Sequence, residues 1–168
     1  MELKSYLLAQ LDREIALTRK AIERVPEGHN DFKPHERSMP LGYLSSLVAG
    51  MLAWIDLMIE RDEYDIQGPD SRKFSPVVVS TRAELSASLD RSAAMARRAL
   101  ESTNEEHLLA PWTLKLAGNT VDQGPRHLMI ADAVFSHLAH HRGQLTVYLR
   151  LNEAPVPSLY GPSADERY

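Results

Sequence analysis

The chain has 168 residues, a formal net charge of −4 from 19 Lys and Arg against 23 Asp and Glu, and no cysteine. An acidic balance without a basic run interleaved with aromatics excludes the footprint of a nucleic-acid binder. The lack of Cys excludes disulfides, thiolate zinc sites and a thiol nucleophile. Hydrophobic content of 43% and charged content of 25% fit an ordinary globular protein, and the length points to one domain over residues 1–168.

The start, Met1-Glu2-Leu3-Lys4-Ser5, lacks the basic segment and apolar core of a secretion signal, which predicts a cytoplasmic protein. Leu3, Leu7, Leu11, Ile15, Ile22 and Val25 recur at helical spacing with Lys, Arg and Glu between them. They predict a first helix over 2–25, ended by Pro26-Glu27-Gly28. A polar connection over 29–39 follows. Ser38 is placed to cap a second helix over 40–61, with Pro40 in its first turn. Leu44, Val48, Met51, Ile55, Met58 and Ile59 form its inner face, with Leu47 and Trp54 beside it. Residues 38–55 carry no charged side chain and approach the length of a membrane span. Pro40, Tyr43, Ser45, Ser46 and the Asp56 that follows predict a buried helix instead, and no membrane contact.

Gly68-Pro69 and Pro76 mark 62–80 as a loop. Thr81-Arg82-Ala83-Glu84 has the spacing of a capping box. It opens a third helix that continues to Ser102, with Leu85, Leu89, Ala93, Ala96 and Leu100 inward. In the connection over 103–125, Thr113-Leu114-Lys115-Leu116 alternates, Gly118-Asn119 is a turn signal and Thr120-Val121 returns, which predicts a small β-hairpin. A fourth helix spans 126–151, stopped by Asn152, with Pro155 and Pro157 beyond. Four amphipathic helices joined by two long connections predict an all-α four-helix bundle.

The fourth helix carries Ser136-His137-Leu138-Ala139-His140-His141-Arg142-Gly143-Gln144-Leu145. His137 and His141 are one turn apart, on the side that also holds Val134, Leu138, Leu145 and Tyr148. A buried imidazole needs a partner, and a divalent metal satisfies two together. Hydrogen bonds to each other, to tyrosines or to water satisfy them equally, so metal site and packing pair both stand. His140 lies off this stripe. Gln144 is placed to hydrogen-bond a histidine, and Arg142 to fix helix packing and the C-terminal tail. Gly143 costs about 1 kcal/mol in a helix interior, so close approach by another element is the expected compensation. Trp54 and Trp112 are most simply packing residues, and Trp112, near the hairpin, has a cleft wall as its alternative place. The chain holds no Ser-containing elbow and no Gly-rich phosphate loop.

His137-Leu-Ala-His-His141-Arg142-Gly143-Gln144-Leu145, Tyr148-Leu149-Arg150, the tail Tyr160-Gly161-Pro162-Ser163-Ala164-Asp165-Glu166 and the run Pro34-His35-Glu36-Arg37-Ser38-Met39-Pro40-Leu41-Gly42 together resemble the DinB-like family, also called the DinB/YfiT-like metalloenzymes. The resemblance covers essentially the whole chain. It implies a four-helix bundle with up-down-down-up connections and a zinc or nickel site held by three histidines, two of them at His137 and His141. It also implies frequent homodimers. Relatives include thiol transferases and thiol-dependent maleylpyruvate isomerases, and many members have no assigned activity. The third histidine would fall on the second helix at position 47, where this chain has Leu47, and hydrocarbon cannot ligate a metal. The expected function is therefore a small-molecule or thiol site with a degenerate metal centre at His137 and His141, holding zinc or nickel weakly or not at all. One alternative is a metal-dependent thiol transferase or hydrolase. Another is a structural or interaction homodimer without catalysis.

Overall fold

A computed structural model describes residues 2–69, 71 and 76–167. In chain order the elements are α1 (Leu3–Ile22), α2 (Leu41–Gly50), a 3₁₀ turn (Met51–Ala53), α3 (Trp54–Glu60), β1 (Glu63–Asp65), α4 (Arg82–Ser102), α5 (Glu105–Leu109), β2 (Pro111–Leu116), β3 (Asn119–Pro125), α6 (Arg126–Ile130), a π-helical stretch (Ala131–Ser136) and α7 (His137–Leu151). Within the predicted loop over 62–80, residues 70 and 72–75 lie outside the described residues.

The prediction of an all-α four-helix bundle of the up-down-down-up type does not hold. The fold is mixed: a three-stranded sheet of order β1-β2-β3 stands beside the helices, and the connection after α4 contains the further short helix α5. The sheet pairs β1 with β2 in parallel, Tyr64 opposite Leu114, and β2 with β3 antiparallel. β1 is too short for alternation to reveal it, and its partner is distant in sequence. The antiparallel pair falls where alternation and the turn signal place a hairpin. Ala117 and Gly118 both adopt positive φ, 50° and 81°, as a two-residue type I′ turn requires. The Asp65 carboxylate accepts from the backbone N–H groups of both, at 3.0 and 2.6 Å, and so ties β1 to the turn.

Helix ends are satisfied in several ways. Thr81 and Glu84 form the predicted capping box of α4. Glu105 accepts from the N–H groups of Leu3 and Lys4, placing a carboxylate at the positive end of α1. Ser38 does not cap α2; Pro40 holds that position without a side-chain bond. The first N–H groups of α2 go instead to backbone carbonyls of the connection, Leu41 to Phe32 and Gly42 to Asn30, both at 2.9 Å. Gly42 permits this approach, because a Cβ there would meet Asn30 at 3.0 Å. Arg126 closes α3: its buried guanidinium donates to the carbonyls of Met58, Arg61 and His107 and to Asp62.

The second and fourth predicted helices keep their bounds but are not uniform. A 3₁₀ turn follows Gly50, and there the hydroxyl of Ser92 on α4 donates to the Ala49 carbonyl at 2.7 Å. The π-helical stretch precedes His137. Leu11, Leu44, Val48, Leu52, Ile55, Leu89, Ile130 and Leu138 are fully buried in one shared core. Leu41–Glu60 is long and apolar enough to cross a membrane, yet it is mostly buried against its neighbours. The C-terminal tail folds back over the helices through Glu166 on Arg24 and Asp165 on Arg150.

Candidate functional site

His137 opens α7 directly after the π-helical stretch. A wide turn of this kind is costly in a regular helix and recurs at functional positions. His141 follows one turn later and is nine-tenths buried, whereas His137 is half-buried. Their Nε2 atoms face each other at 2.8 Å. The other nitrogen of His141 meets Gln144 Oε1 at 2.8 Å, the contact predicted for Gln144. The His137 ring also meets the backbone of Ala133, one turn earlier, in a contact that favours its protonated form. Burial, and then the neighbouring His141 and His140 imidazoles, outweigh that contact and hold the His137 pKa below the ordinary imidazole value. The shift favours the neutral ring. His140 is exposed, but its ring lies 5.0 Å from that of His141.

His137 sits in the wall of a cavity of about 430 Å³. Leu47 from α2, Trp54 from α3, Tyr64 from β1, Trp112 from β2 and Ala133 from the π-helical stretch share that wall. The sheet is thus the lid of the site, and the small β1 strand positions one of its aromatics. The Trp54 ring lies 5.7 Å from His137, tilted by 57°. Trp112 is buried in the core, as the packing reading expects, and also borders the cleft. Its indole N–H is buried without a hydrogen-bond partner among the described residues. Leu47, Trp54, Leu57 and Pro76 also border a second cavity of about 400 Å³, whose walls hold Asp56, Glu60 and Arg91. Burial there raises the Asp56 pKa, and the adjacent Glu60 raises it further.

Leu47 shares the cavity with His137 and adds hydrocarbon where a third ligand would be needed. Among the described residues, no three of His, Cys, Asp and Glu gather closely enough to hold a metal. The tail carboxylates do not complete a set, since Asp165 is held by Arg150 and Glu166 by Arg24. Arg142 fixes the tail as predicted, donating to the Tyr160 hydroxyl. Its guanidinium also reaches Glu14 at 2.6 Å and Thr18 at 2.9 Å. Gly143 departs from prediction: it is exposed, and a Cβ there would meet nothing within 4 Å.

Sequence reasoning missed Arg126, Glu14, Tyr64 and Ala133. Glu14 carried a detectable signal, since a carboxylate at that position interrupts the buried face of α1. Tyr64 carried none, because its role depends on a strand of only three residues.

A crystal structure of a DinB-like protein, YjoA from Bacillus subtilis, is similar to this chain with a TM-score of 0.67 at 18% sequence identity, over 90% of this chain and 95% of that one. At that identity the likeness concerns the fold. No curated protein matches. The DinB family model matches residues 1–167, and the chain therefore belongs to the DinB family.

Proposed function

We propose that the cavity beside His137 is a small-molecule site, and that His137 and His141 hold a divalent cation weakly at its floor. The observation that carries this reading is the 2.8 Å approach of the two Nε2 atoms while the opposite side of each ring is already engaged. Where both rings carry their hydrogen on Nδ1, toward Ala133 and Gln144, the two Nε2 lone pairs face each other. Such a pair needs a positive charge between or beside it, either a proton or a metal ion. A ring nitrogen committed to an oxygen acceptor is also the usual support of a metal-binding imidazole.

The donor set fits only an open, weak site. Two zinc–nitrogen bonds of about 2.0–2.1 Å in tetrahedral geometry would separate the nitrogens by about 3.3 Å. The observed spacing suits a tighter angle, with the remaining positions left to water or ligand. A bound cation would supply Lewis-acid polarisation of a ligand oxygen or sulfur. The chain's own contribution is separate. His137, its pKa lowered by burial, accepts a proton at Nε2; Gln144 orients His141; Trp54 packs beside the His137 ring. The cytoplasm is the compartment we assign.

Titration calorimetry of untagged, chelator-treated protein with zinc and nickel tests the cation. Binding in the micromolar range or weaker, lost in the His137→Ala, His141→Ala double variant, is the expected result. Binding unaltered by that variant would place the cation elsewhere and end the proposal. Tight stoichiometric binding would require a third protein ligand and would overturn the weak, open site.

A further inference from the structure

The C-terminal tail is held in a different way from the helices. Among the described residues, no backbone–backbone hydrogen bond joins 155–167 to a helix. Residues 156–166 close on themselves instead. Asp165 accepts from the Val156 N–H at 2.7 Å, and Glu166 from the Ser158 N–H at 2.9 Å. The Ser163 hydroxyl donates to the Val156 carbonyl at 2.7 Å and accepts from the N–H groups of Asp165 and Glu166. A short loop tied across its neck by its own side chains keeps its shape without outside support.

Its ties to the body run through charged side chains. Asp165 pairs with Arg150 on α7, Glu166 pairs with Arg24 just beyond α1, and Lys20 on α1 donates to the Ser158 carbonyl at 3.3 Å. Tyr160 adds its hydroxyl to the Glu14–Arg142 pair, and its ring packs on the guanidinium groups of Arg13 and Arg142. Arg150 holds the Asp165 carboxyl below the usual carboxylate range, and the Ser158 N–H and Arg24 do the same for Glu166. The Arg24 and Arg150 side chains are 31% and 49% exposed, so dissolved ions screen both pairs and each is weak alone. Where the tail leaves α7, Glu153 turns the chain with a φ of 56°.

We infer that residues 156–166 form an ionic strap that lifts off α1 and α7 as one unit, pivoting after Glu153, and uncovers the Glu14–Arg142 pair while the helices stay folded. Local opening of this kind is expected where few ties cross from a self-contained segment to the core.

The chain has no cysteine, so a single introduced thiol reports opening through its rate of reaction with the uncharged reagent iodoacetamide. Ser158→Cys lies beneath the strap, and Ala96→Cys, fully buried on α4, reports unfolding of the helices. The first thiol is expected to react at least about tenfold faster than the second; equal rates would mean that the tail opens only with the whole protein. Arg24→Gln and Arg150→Gln, each added to Ser158→Cys, should accelerate its labelling about two- to fivefold and leave Ala96→Cys unchanged. A response to only one of them would show an end that frays, not a strap that lifts. Salt raised from about 0.01 to 1 M, which cuts the reach of exposed charges from about 30 to 3 Å, should accelerate the Ser158→Cys thiol as well; an indifferent rate would overturn the ionic hold. In the native chain, the buried Nε–H of Arg142 should exchange faster with water at high salt. A steady exchange rate there would show that the strap does not cover the pair and would overturn the inference.

Discussion

His141 and Arg142 are adjacent on α7 and both withdrawn from solvent, yet their surroundings are opposite. The Arg142 guanidinium is matched almost completely: Glu14 takes one ion-pair bond, Thr18 another donor, and the Tyr160 hydroxyl a third. Its Nε–H alone lacks an acceptor among the described residues. Glu14 is in turn held by Gln10 and Tyr160. His141 has Gln144 on one side and only another imidazole on the other. A buried charge whose partners come from a second helix and from the C-terminal tail is architecture, because removing its carboxylate partner strands the charge. The imidazole pair instead finds its partners within its own helix and the stretch just before it, and one member, His137, borders a cavity.

The largest expected effect tests the architectural half. Glu14→Ala leaves the Arg142 charge buried and uncompensated, which costs about 3–5 kcal/mol. Urea unfolding followed by circular dichroism measures it. Replacing both partners by methionine removes the stranded charge as well as the pair, and that double variant should recover most of the loss. A Glu14→Ala cost below about 1 kcal/mol would mean that water reaches Arg142, and the contrast with His141 would collapse.

The histidine half should behave differently. His137→Phe keeps a ring in the wall and removes a nitrogen that no other element requires, so its cost should stay within about 1 kcal/mol. The sign of the pH effect follows from the depressed His137 pKa. The unfolded chain takes up this proton first as pH falls, near the ordinary imidazole value of about 6.5. The stability contributed by the neutral ring is therefore complete above that pH and declines below it, towards the lower folded value. In chelator-treated protein, the difference in urea midpoint between pH 7.5 and 5.5 (conditions bracketing about 6.5) should be smaller in His137→Phe than in the native chain. Equal differences would show that His137 titrates as an exposed residue and would dissolve its claim to the site.

The legible part of this protein is whatever a regular period encodes. Leu7 and Leu11, or Leu85 and Leu89, announce their helices because each recurs with the turn and each is buried. The capping box is legible because Thr81 and Glu84 interact within one turn. His137 and His141 are legible as a pair for the same local reason. What stayed hidden depends on residues distant in sequence. β1 exists because Glu63–Asp65 lies along β2, some fifty residues away, and that strand turns a helical protein into a mixed one. Arg126 reads as an ordinary first-turn cation until α3 ends against it. The π-helical stretch is hidden too, since one wide turn shifts the register of an apolar stripe without erasing it. The cavity inherits this: its histidine was visible, while Tyr64 and Ala133 were not.

Gly143 gives the smallest effect and asks whether this surface of α7 is open. It lies between the architectural residue and the rest of the helix, exposed, in a regular conformation where a Cβ would touch nothing. Ala there loses less backbone freedom on folding, so Gly143→Ala should stabilise the isolated chain by about 0.5–1 kcal/mol. Thermal unfolding together with sedimentation checks both sign and cause. Val147 and Leu151, also exposed, continue the same helix face. A second copy packed closely on that face would make a new Cβ clash, and Gly143→Ala would then destabilise the protein and shift it towards monomer. A stabilised protein of unchanged mass would show instead that glycine serves no contact at this position, and that the constraint on α7 resides in Arg142 and the imidazoles beside it.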